Sequence, residues 1–187
     1  MMALLGLTAT IDAASKTVAL GGKVQVDFPS QPMTEARTVE TKFGPIKLES
    51  FKARVPGVFL NLLVVTYPAQ VIRAQKDPVA FIERTATGHE KQKTGAERIY
   101  FKELVKSEQW AAEHRFTYPS GKKSTGERYA KGFALYRYYL VDSSMVTVFV
   151  DVVDGTYKGR TKEIDERIED FFSSVQISER QSLRADP

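Results

Sequence analysis

Residues 133–153 read FALYRYYLVDSSMVTVFVDVV, and this stretch decides how the rest of the chain is interpreted. Two extended segments flank the polar residues Asp142-Ser143-Ser144, which form a turn. In the second segment every second residue is a valine, so one face of that strand is apolar and suited to burial. The valines are Val146, Val148, Val150 and Val152. The sequence therefore predicts a long β-hairpin with one buried face.

A helical pattern follows this hairpin. From residue 164 to residue 175 apolar side chains recur three or four positions apart, which places them along one side of a helix. They are Ile164, Ile168, Phe171, Phe172 and Val175. Because so short a helix is marginal alone, its apolar stripe must pack against another surface. The valine face of the hairpin is the surface we expect it to cover.

Further strands are predicted in the first third of the chain. Residues 23–29 alternate apolar and polar side chains and stop at Pro29, and residues 30–36 form a polar loop. Segments 37–43 and 46–54 flank Gly44-Pro45, as in a hairpin. Residues 58–67 are apolar on both faces, which predicts a central strand covered on both sides.

A helix is predicted next, beginning at Asp77-Pro78. Asp77 can accept hydrogen bonds from free amides at the N-cap, and proline has no amide to lose at the first helical position. Gly88 marks the predicted end of this helix, and residues 89–96 form a polar loop.

Strands at 98–106 and 109–118 and a flexible turn over 119–126 lead to the hairpin. The order is then four strands, a helix, four strands and a helix. Short links within each group of strands favour antiparallel pairing. We therefore predict an α+β fold, with a mostly antiparallel sheet flanked by helices as an α/β/α sandwich.

The composition excludes several kinds of site. The chain has 187 residues, which suits one domain, and a net charge of +4. It contains no cysteine, which rules out disulfides, a thiolate nucleophile and cysteine-ligated metals. The mildly basic charge is compatible with anionic partners without identifying one.

The ends of the chain differ in character from its centre. Residues 1–18 are a leader-like or disordered segment, residues 19–178 a single domain, and residues 179–187 a disordered tail. The apolar start resembles the centre of a signal peptide, although the first cation is Lys16. We expect a periplasmic or secreted location, with a cytoplasmic one as the alternative. No apolar run is long enough for a transmembrane helix.

The pattern over residues 19–178 resembles the PsbP-like fold, named for an extrinsic subunit of photosystem II. Within that group it is most similar to bacterial DcrB-type domains of unknown function. The stretches that carry the resemblance are 24–32, 58–68, 138–141, 145–153 and 170–177. The resemblance implies no catalysis and no cofactor, and its bacterial members are usually exported. Val175 departs from the pattern, because an aromatic residue is usual there.

The two histidines are the first candidates for metal chemistry. His89 lies in a predicted loop and His114 in a predicted strand, where we expect it at a polar edge. A metal site needs several converging ligands, so His89 with Glu90 would make only a weak adventitious site. We expect no metal.

The glycine-bounded segment 155–159 precedes the last helix, whose N-terminus could hold an anion. The acidic residues at the start of that helix oppose anion binding, because they already satisfy the helix dipole. They are Glu163, Asp165 and Glu166. We interpret the segment as a connection and expect no bound cofactor.

Basic and aromatic residues alternate at the start of the hairpin. The candidate partner-binding surface comprises Arg128, Lys131, Tyr136, Arg137 and Tyr139. Tyrosine and arginine are enriched at protein interfaces, although packing of the tyrosines in the core or at a sheet edge also explains the pattern. Binding of single-stranded nucleic acid is disfavoured by the adjacent Glu127 and by the lack of an RNA-recognition signature.

Three functions follow from these observations. The first is a non-enzymatic binding or accessory domain that is exported and contacts another macromolecule, a protein, through its surface. The second is an enzyme whose site assembles only in three dimensions around His114, with Tyr100, Glu113 and Arg137. The third is a cytosolic basic module that binds an anionic macromolecule.

Overall fold

The computed structural model describes residues 15–20, 23–106, 109–120, 130–153 and 162–177. Its strands are β1 (Lys16–Leu20), β2 (Val24–Phe28), β3 (Met33–Val39), β4 (Ile46–Val55), β5 (Val58–Thr66), β6 (Glu97–Lys106), β7 (Gln109–Ser120), β8 (Ala130–Val141), β9 (Ser144–Val152) and β10 (Gln176–Ile177). Its helices are α1 (Ala69–Arg73), α2 (Pro78–Lys91) and α3 (Lys162–Ser173). The predicted α+β class is confirmed.

Seven strands form one antiparallel sheet in the order β3-β4-β5-β9-β8-β7-β6. The predicted hairpin is strands β8 and β9, which pair from Phe133 opposite Val152 to Val141 opposite Ser144. Its turn contains Asp142 with φ of +50°, a conformation that aspartate tolerates better than most residues. Strand β5 is an interior strand, as predicted, and its pairing with β9 joins the two halves of the chain. The predicted cover on both faces is wrong for the face that carries Leu63 and Val65, which are half-buried and border a groove.

One face of this sheet, which we call the α3 face, is covered by helix α3 and by a small sheet of β1, β2 and β10. All four valines of β9 are buried there in the same apolar cluster as Ile168, Phe171 and Phe172. The rings of Phe28 and Phe171 meet edge to face, with centroids 5.3 Å apart. The expected packing of the last helix with the valine face is confirmed.

The opposite face, the α2 face, is covered only in part. Helix α2 packs Ile82 and Ala86 against an aromatic cluster that includes Phe116, Tyr136 and Tyr138. These aromatic side chains belong to β7 and β8, so α2 lies over one half of the sheet. The other half, formed by β3, β4 and β5, extends beyond the helix and borders a groove.

Four elements differ from the sequence prediction. Strand β1 includes residues 16–18, which were assigned to the N-terminal segment, and β1 and β10 both pair with β2. Strand β3 begins at Met33, inside the predicted polar loop, because pairing with β4 supplies hydrogen bonds that a solvated loop would take from water. The short helix α1 was not predicted, and no α1 residue is fully buried.

Helix α2 continues through Gly88 and ends at Lys91, three residues beyond the predicted stop. Glycine in a helix costs about 1 kcal/mol relative to alanine. Packing of the following residue compensates, since the His89 ring stacks on Tyr136 and Tyr138. His89 is therefore a helical residue, and the predicted loop at 89–96 begins only at Gln92.

Several predicted features lie outside the described residues: 1–14 of the leader-like segment, 121–126 of the flexible turn, the 155–159 connection and the 179–187 tail. Among the helices that are described, none is long and apolar enough to cross a membrane.

The N-cap of α2 gives a stability prediction. The Asp77 Oδ1 accepts a hydrogen bond from the Ala80 amide at 2.9 Å, and Pro78 takes the first helical position, as predicted. We expect Asp77→Ala to lower the free energy of unfolding by about 0.5–2 kcal/mol in chemical denaturation. Asp77→Asn, which keeps the acceptor, should lose much less. Equal losses in the two variants would contradict this role for Asp77.

Candidate binding groove

An open groove of about 570 Å³ lies on the α2 face, between helix α2 and the outer strands. It exists because α2 packs on β6, β7 and β8, so no helix in the described part of the chain covers this face of β3, β4 and β5. Its lining includes Glu35, Arg37, Ile46, Leu48, Ser50, Lys52, Asn61, Leu63, Val65, Thr85, His89, Gln92 and Thr147.

The groove combines an apolar floor with a polar rim. Leu48, Leu63 and Val65 are half-buried residues of β4 and β5 that line it. At the outer side Lys52 pairs with Glu35 at 3.3 Å, and both side chains are more than half exposed. Such an exposed pair contributes little stability, so these charges are available for other contacts.

His89 lines the groove from the helix side. Its Nδ1 lies 3.0 Å from the Tyr138 hydroxyl. Burial, and secondarily the nearby His114, lowers the pKa of His89 to about 4, so its ring is neutral near pH 7. Burial also raises the pKa of Tyr138, which keeps its hydroxyl protonated. When that hydroxyl donates to Nδ1, the imidazole proton lies on Nε2, where it can be donated to a ligand.

Thr147 supplies a second polar group at the floor. The residue is buried and lines the groove, yet its hydroxyl oxygen has no hydrogen-bond partner among the described residues. A buried hydroxyl without a partner costs stability of about 1–3 kcal/mol. That oxygen has almost no solvent-exposed surface, so a ligand would bond to it only after the side chain turned toward the groove.

An ion-paired network beneath helix α2 holds the helix side of the groove in place. His114 Nε2 lies 3.1 Å from Glu90 Oε2, and Arg98 Nε donates to the same oxygen at 2.8 Å. Burial, and next the charge of Arg98, lowers the pKa of His114. The neutral ring then donates from Nε2 to Glu90 and leaves Nδ1, which has no partner in the described part of the chain, without a proton.

The expected position of His114 at a polar edge is therefore wrong. The residue is fully buried, because β7 is an interior strand and helix α2 lies over it. The two histidines lie on different elements, but both rings approach Tyr136. The centroids of the His114 and Tyr136 rings are 6.5 Å apart, and the His89 ring stacks on Tyr136.

Three of the four residues of the enzyme hypothesis meet, but His114 is not among them. Glu113 accepts hydrogen bonds from Tyr100 and Arg137, each at 2.8 Å, and Lys102 lies 2.9 Å away. Burial would raise the pKa of Glu113, but these donors lower it overall. This cluster lies on the α3 face, whereas His114 points to the α2 face, because successive strand residues alternate.

The predicted partner-binding surface is not brought together either. Tyr136 is 5% exposed on the α2 face and Tyr139 is 2% exposed on the α3 face, as core packing of the tyrosines would require. Arg137 binds Glu113 and lies over the Phe172 ring at 4.5 Å. Lys131 is exposed and lies 3.4 Å from Glu97, while Arg128 lies outside the described residues.

No metal site is visible in the described ranges, where no three histidine, aspartate or glutamate side chains converge. Glu90, the expected partner of His89 in an adventitious site, instead binds His114 and Arg98. A second hollow of about 580 Å³ lies beside α3. One of its hydroxyls is fully engaged, since Ser174 accepts from the Asp27 amide at 3.0 Å and donates to the Phe171 carbonyl at 2.8 Å.

The groove residues carry no sequence signal that identifies them in advance. Asn61 and Thr147 are polar interruptions of apolar strands, Glu35 lies in the predicted loop 30–36, and Arg37 opens the predicted strand 37–43. Their convergence depends on strand order, which local periodicity does not specify.

Comparison with solved structures identifies the architecture. Cyanobacterial PsbP (CyanoP) from Synechocystis sp. PCC 6803 superposes with a TM-score of 0.55 at 10% identity, over 93% of this chain and 99% of that chain. This chain has a PsbP-like fold. A protein of unknown function from Pseudomonas aeruginosa superposes with a TM-score of 0.44 at 9% identity, over 83% of this chain and 94% of that one. No model of a known protein family matches the sequence, and no curated protein matches it.

The identity of 10% supports the PsbP-like fold alone and transfers no residue role. It confirms the PsbP-like fold that the resemblance implied. What the groove of this PsbP-like domain binds must therefore be argued from its own side chains.

The lowered pKa of His89 predicts acid sensitivity. The unfolded chain takes up a proton near pH 6.5, whereas the folded chain does so only near pH 4. We expect the free energy of unfolding to fall as the pH drops through this window, by up to about 3 kcal/mol for this group. His89→Gln should flatten the dependence, and His114, whose pKa is also lowered, should leave a residual slope.

Denaturant titrations at several pH values between 4.5 and 7 would measure this slope. The Glu113 carboxyl, whose pKa is lowered from 4.5, contributes only at the acid end of this range, so the slope of His89 is taken from the points above about pH 5.5. An identical slope in the wild-type chain and in His89→Gln would contradict the assignment.

Proposed function

We propose that this PsbP-like protein is a non-enzymatic binding domain that holds an extended segment of a protein partner in the groove. The observation that carries the proposal is an apolar floor beside two polar groups: the His89 Nε2–H, which can donate to a ligand, and the Thr147 hydroxyl, which has no hydrogen-bond partner among the described residues. Ligand sites typically combine an apolar lining with a few such convergent polar groups.

Three carboxylates around the groove and in the sheet favour binding over catalysis, because each is already paired with a cation. Glu90, Glu113 and Asp151 each contact a cation, and Asp151 also accepts from the Tyr118 hydroxyl. Groups engaged in this way stabilise the fold and hold the wall of the groove. A general base or nucleophile would need a free partner in contact with the groove.

A protein partner is favoured over nucleic acid by the charges of the rim. The rim contains Glu35 beside Arg37 and Lys52, so it presents both signs of charge. Single-stranded nucleic acids are bound by positive grooves with exposed aromatic rings for base stacking. Here the aromatic rings of the groove lining are half-buried and already pack on other rings, Tyr67 against Phe81 and Phe149 against Tyr136. A mixed rim around an apolar floor is the usual anatomy of a protein interface.

Selection of random linear peptides by display against the purified protein would test the groove. We expect selected peptides to bind with an apolar residue in the groove, and Ser50→Trp to weaken their binding at least about tenfold by filling it. Lys47→Trp is the matched control, because Lys47 is exposed on the opposite face of the same strand. Failure to select any peptide, or equal binding to both variants, would contradict the proposal.

We further propose that the protein acts outside the cytoplasm. The leader-like start of the chain and the exported members of the resembling group support this location. N-terminal sequencing of the protein from its native cells should reveal a start within or after residues 13–15. A mature protein that retains Met1 would contradict export by a cleaved leader.

A further inference from the structure

Strand β3 forms one edge of the seven-stranded sheet, and all seven of its residues are exposed. An edge strand leaves a row of backbone amides and carbonyls ready to pair with another strand. The opposite edge, β6, has a register irregularity between Arg98 and Tyr100, which interrupts further pairing. Strand β3 pairs with β4 along its whole length without such an interruption.

The sequence of β3, MTEARTV, complements itself when two copies run antiparallel about Ala36. In that register Glu35 of each copy lies opposite Arg37 of the other. Thr34 lies opposite Thr38, and Met33, which is 78% exposed, lies opposite Val39. Directly opposed residues share a face of the sheet, so each of these pairs can make contact.

Both charged residues are available for such pairing. Glu35 contacts only the exposed Lys52, at 3.3 Å. Arg37 has no ion pair within the described residues. Pro32 precedes the strand and cannot donate to a ladder, so it limits the pairing to residues 33–39.

We propose that a second copy of this chain is the partner of the β3 edge. The two seven-stranded sheets then form one continuous antiparallel sheet, with a two-fold axis passing between the paired Ala36 residues. Because the axis is perpendicular to the sheet, both copies present their α2 faces on the same side. The two grooves, each lined by Glu35 and Arg37, then lie next to one another. This inference does not rest on the proposed peptide-binding function.

Analytical ultracentrifugation of the full chain over a range of concentrations tests the proposal. Seven-residue strand pairing is a small interface, so we expect a reversible dimer with a micromolar dissociation constant. Symmetry places each charged residue in the interface twice. Glu35→Arg or Arg37→Glu alone therefore sets like charges opposite each other at two places, and we expect the dissociation constant to rise at least about tenfold.

Charge complementarity makes a sharper prediction for combined variants. An equimolar mixture of Glu35→Arg and Arg37→Glu should form a heterodimer, because every opposed pair again has opposite signs. The double variant Glu35→Arg/Arg37→Glu should dimerise with itself. Glu169→Arg and Lys91→Glu make the same charge changes at exposed helix positions and should leave the dimer unchanged.

Three outcomes would overturn the proposal: a wild-type chain that stays monomeric up to about 1 mM, single variants that dimerise like the wild type, or a mixture that does not recover the dimer. Melting curves and circular dichroism of each variant establish that it is folded. The peptide assay is measured separately with Ser50→Trp, which changes no residue of β3, and the sedimentation of this variant is also measured because Ser50 lies opposite Glu35. Failure of the dimer and failure of the groove are then distinguishable.

Discussion

The antiparallel pairing of β5 with β9 is the interaction on which the rest of the structure depends. It spans nine residue pairs, from Val58 opposite Val152 to Thr66 opposite Ser144, and joins the N-terminal strands to the C-terminal hairpin. Its register places the valines of β9 and Leu60 and Leu62 of β5 on the α3 face. A shift by one residue would turn every one of these side chains to the other face, so burial of the valine cluster fixes the register.

The same alternation decides what the sheet can do chemically. Glu113 and His114 are neighbours in sequence, yet each belongs to a different network on a different face. Tyr138 and Tyr139 are separated in the same way, the former in contact with His89 and the latter in the valine cluster. A set of polar residues that looks like one site along the chain is thus divided between two cores. The groove gathers residues from four strands and a helix that are far apart in sequence.

The sequence was sufficient to predict the elements that have strong periodicity. The valine alternation of β9, the apolar stripe of α3 and the Asp77-Pro78 start of α2 follow from local geometry, and all three are confirmed. The misses have a common physical cause, which is that tertiary contacts overrode local preference. Stacking of His89 extends α2 through Gly88, and pairing with β4 turns part of a polar loop into β3. His114 was predicted at a polar edge, because the pattern of a single strand does not show that a helix covers it.

The helices cover the sheet unevenly, and its outer half carries the candidate binding surfaces. Where α2 and α3 pack on both sides, the strand residues are constrained by a core, and polar groups such as the Arg137 guanidinium and the His114 Nε2 have partners in Glu113 and Glu90. Among the residues that the structure describes, no helix lies above β3, no strand pairs with its outer edge, and no β3 residue belongs to either core. Stability of the fold alone would hardly restrict which residue types occupy these seven exposed positions. A self-complementary order of charges there, next to a groove with an unpartnered threonine, is therefore better explained by binding than by stability.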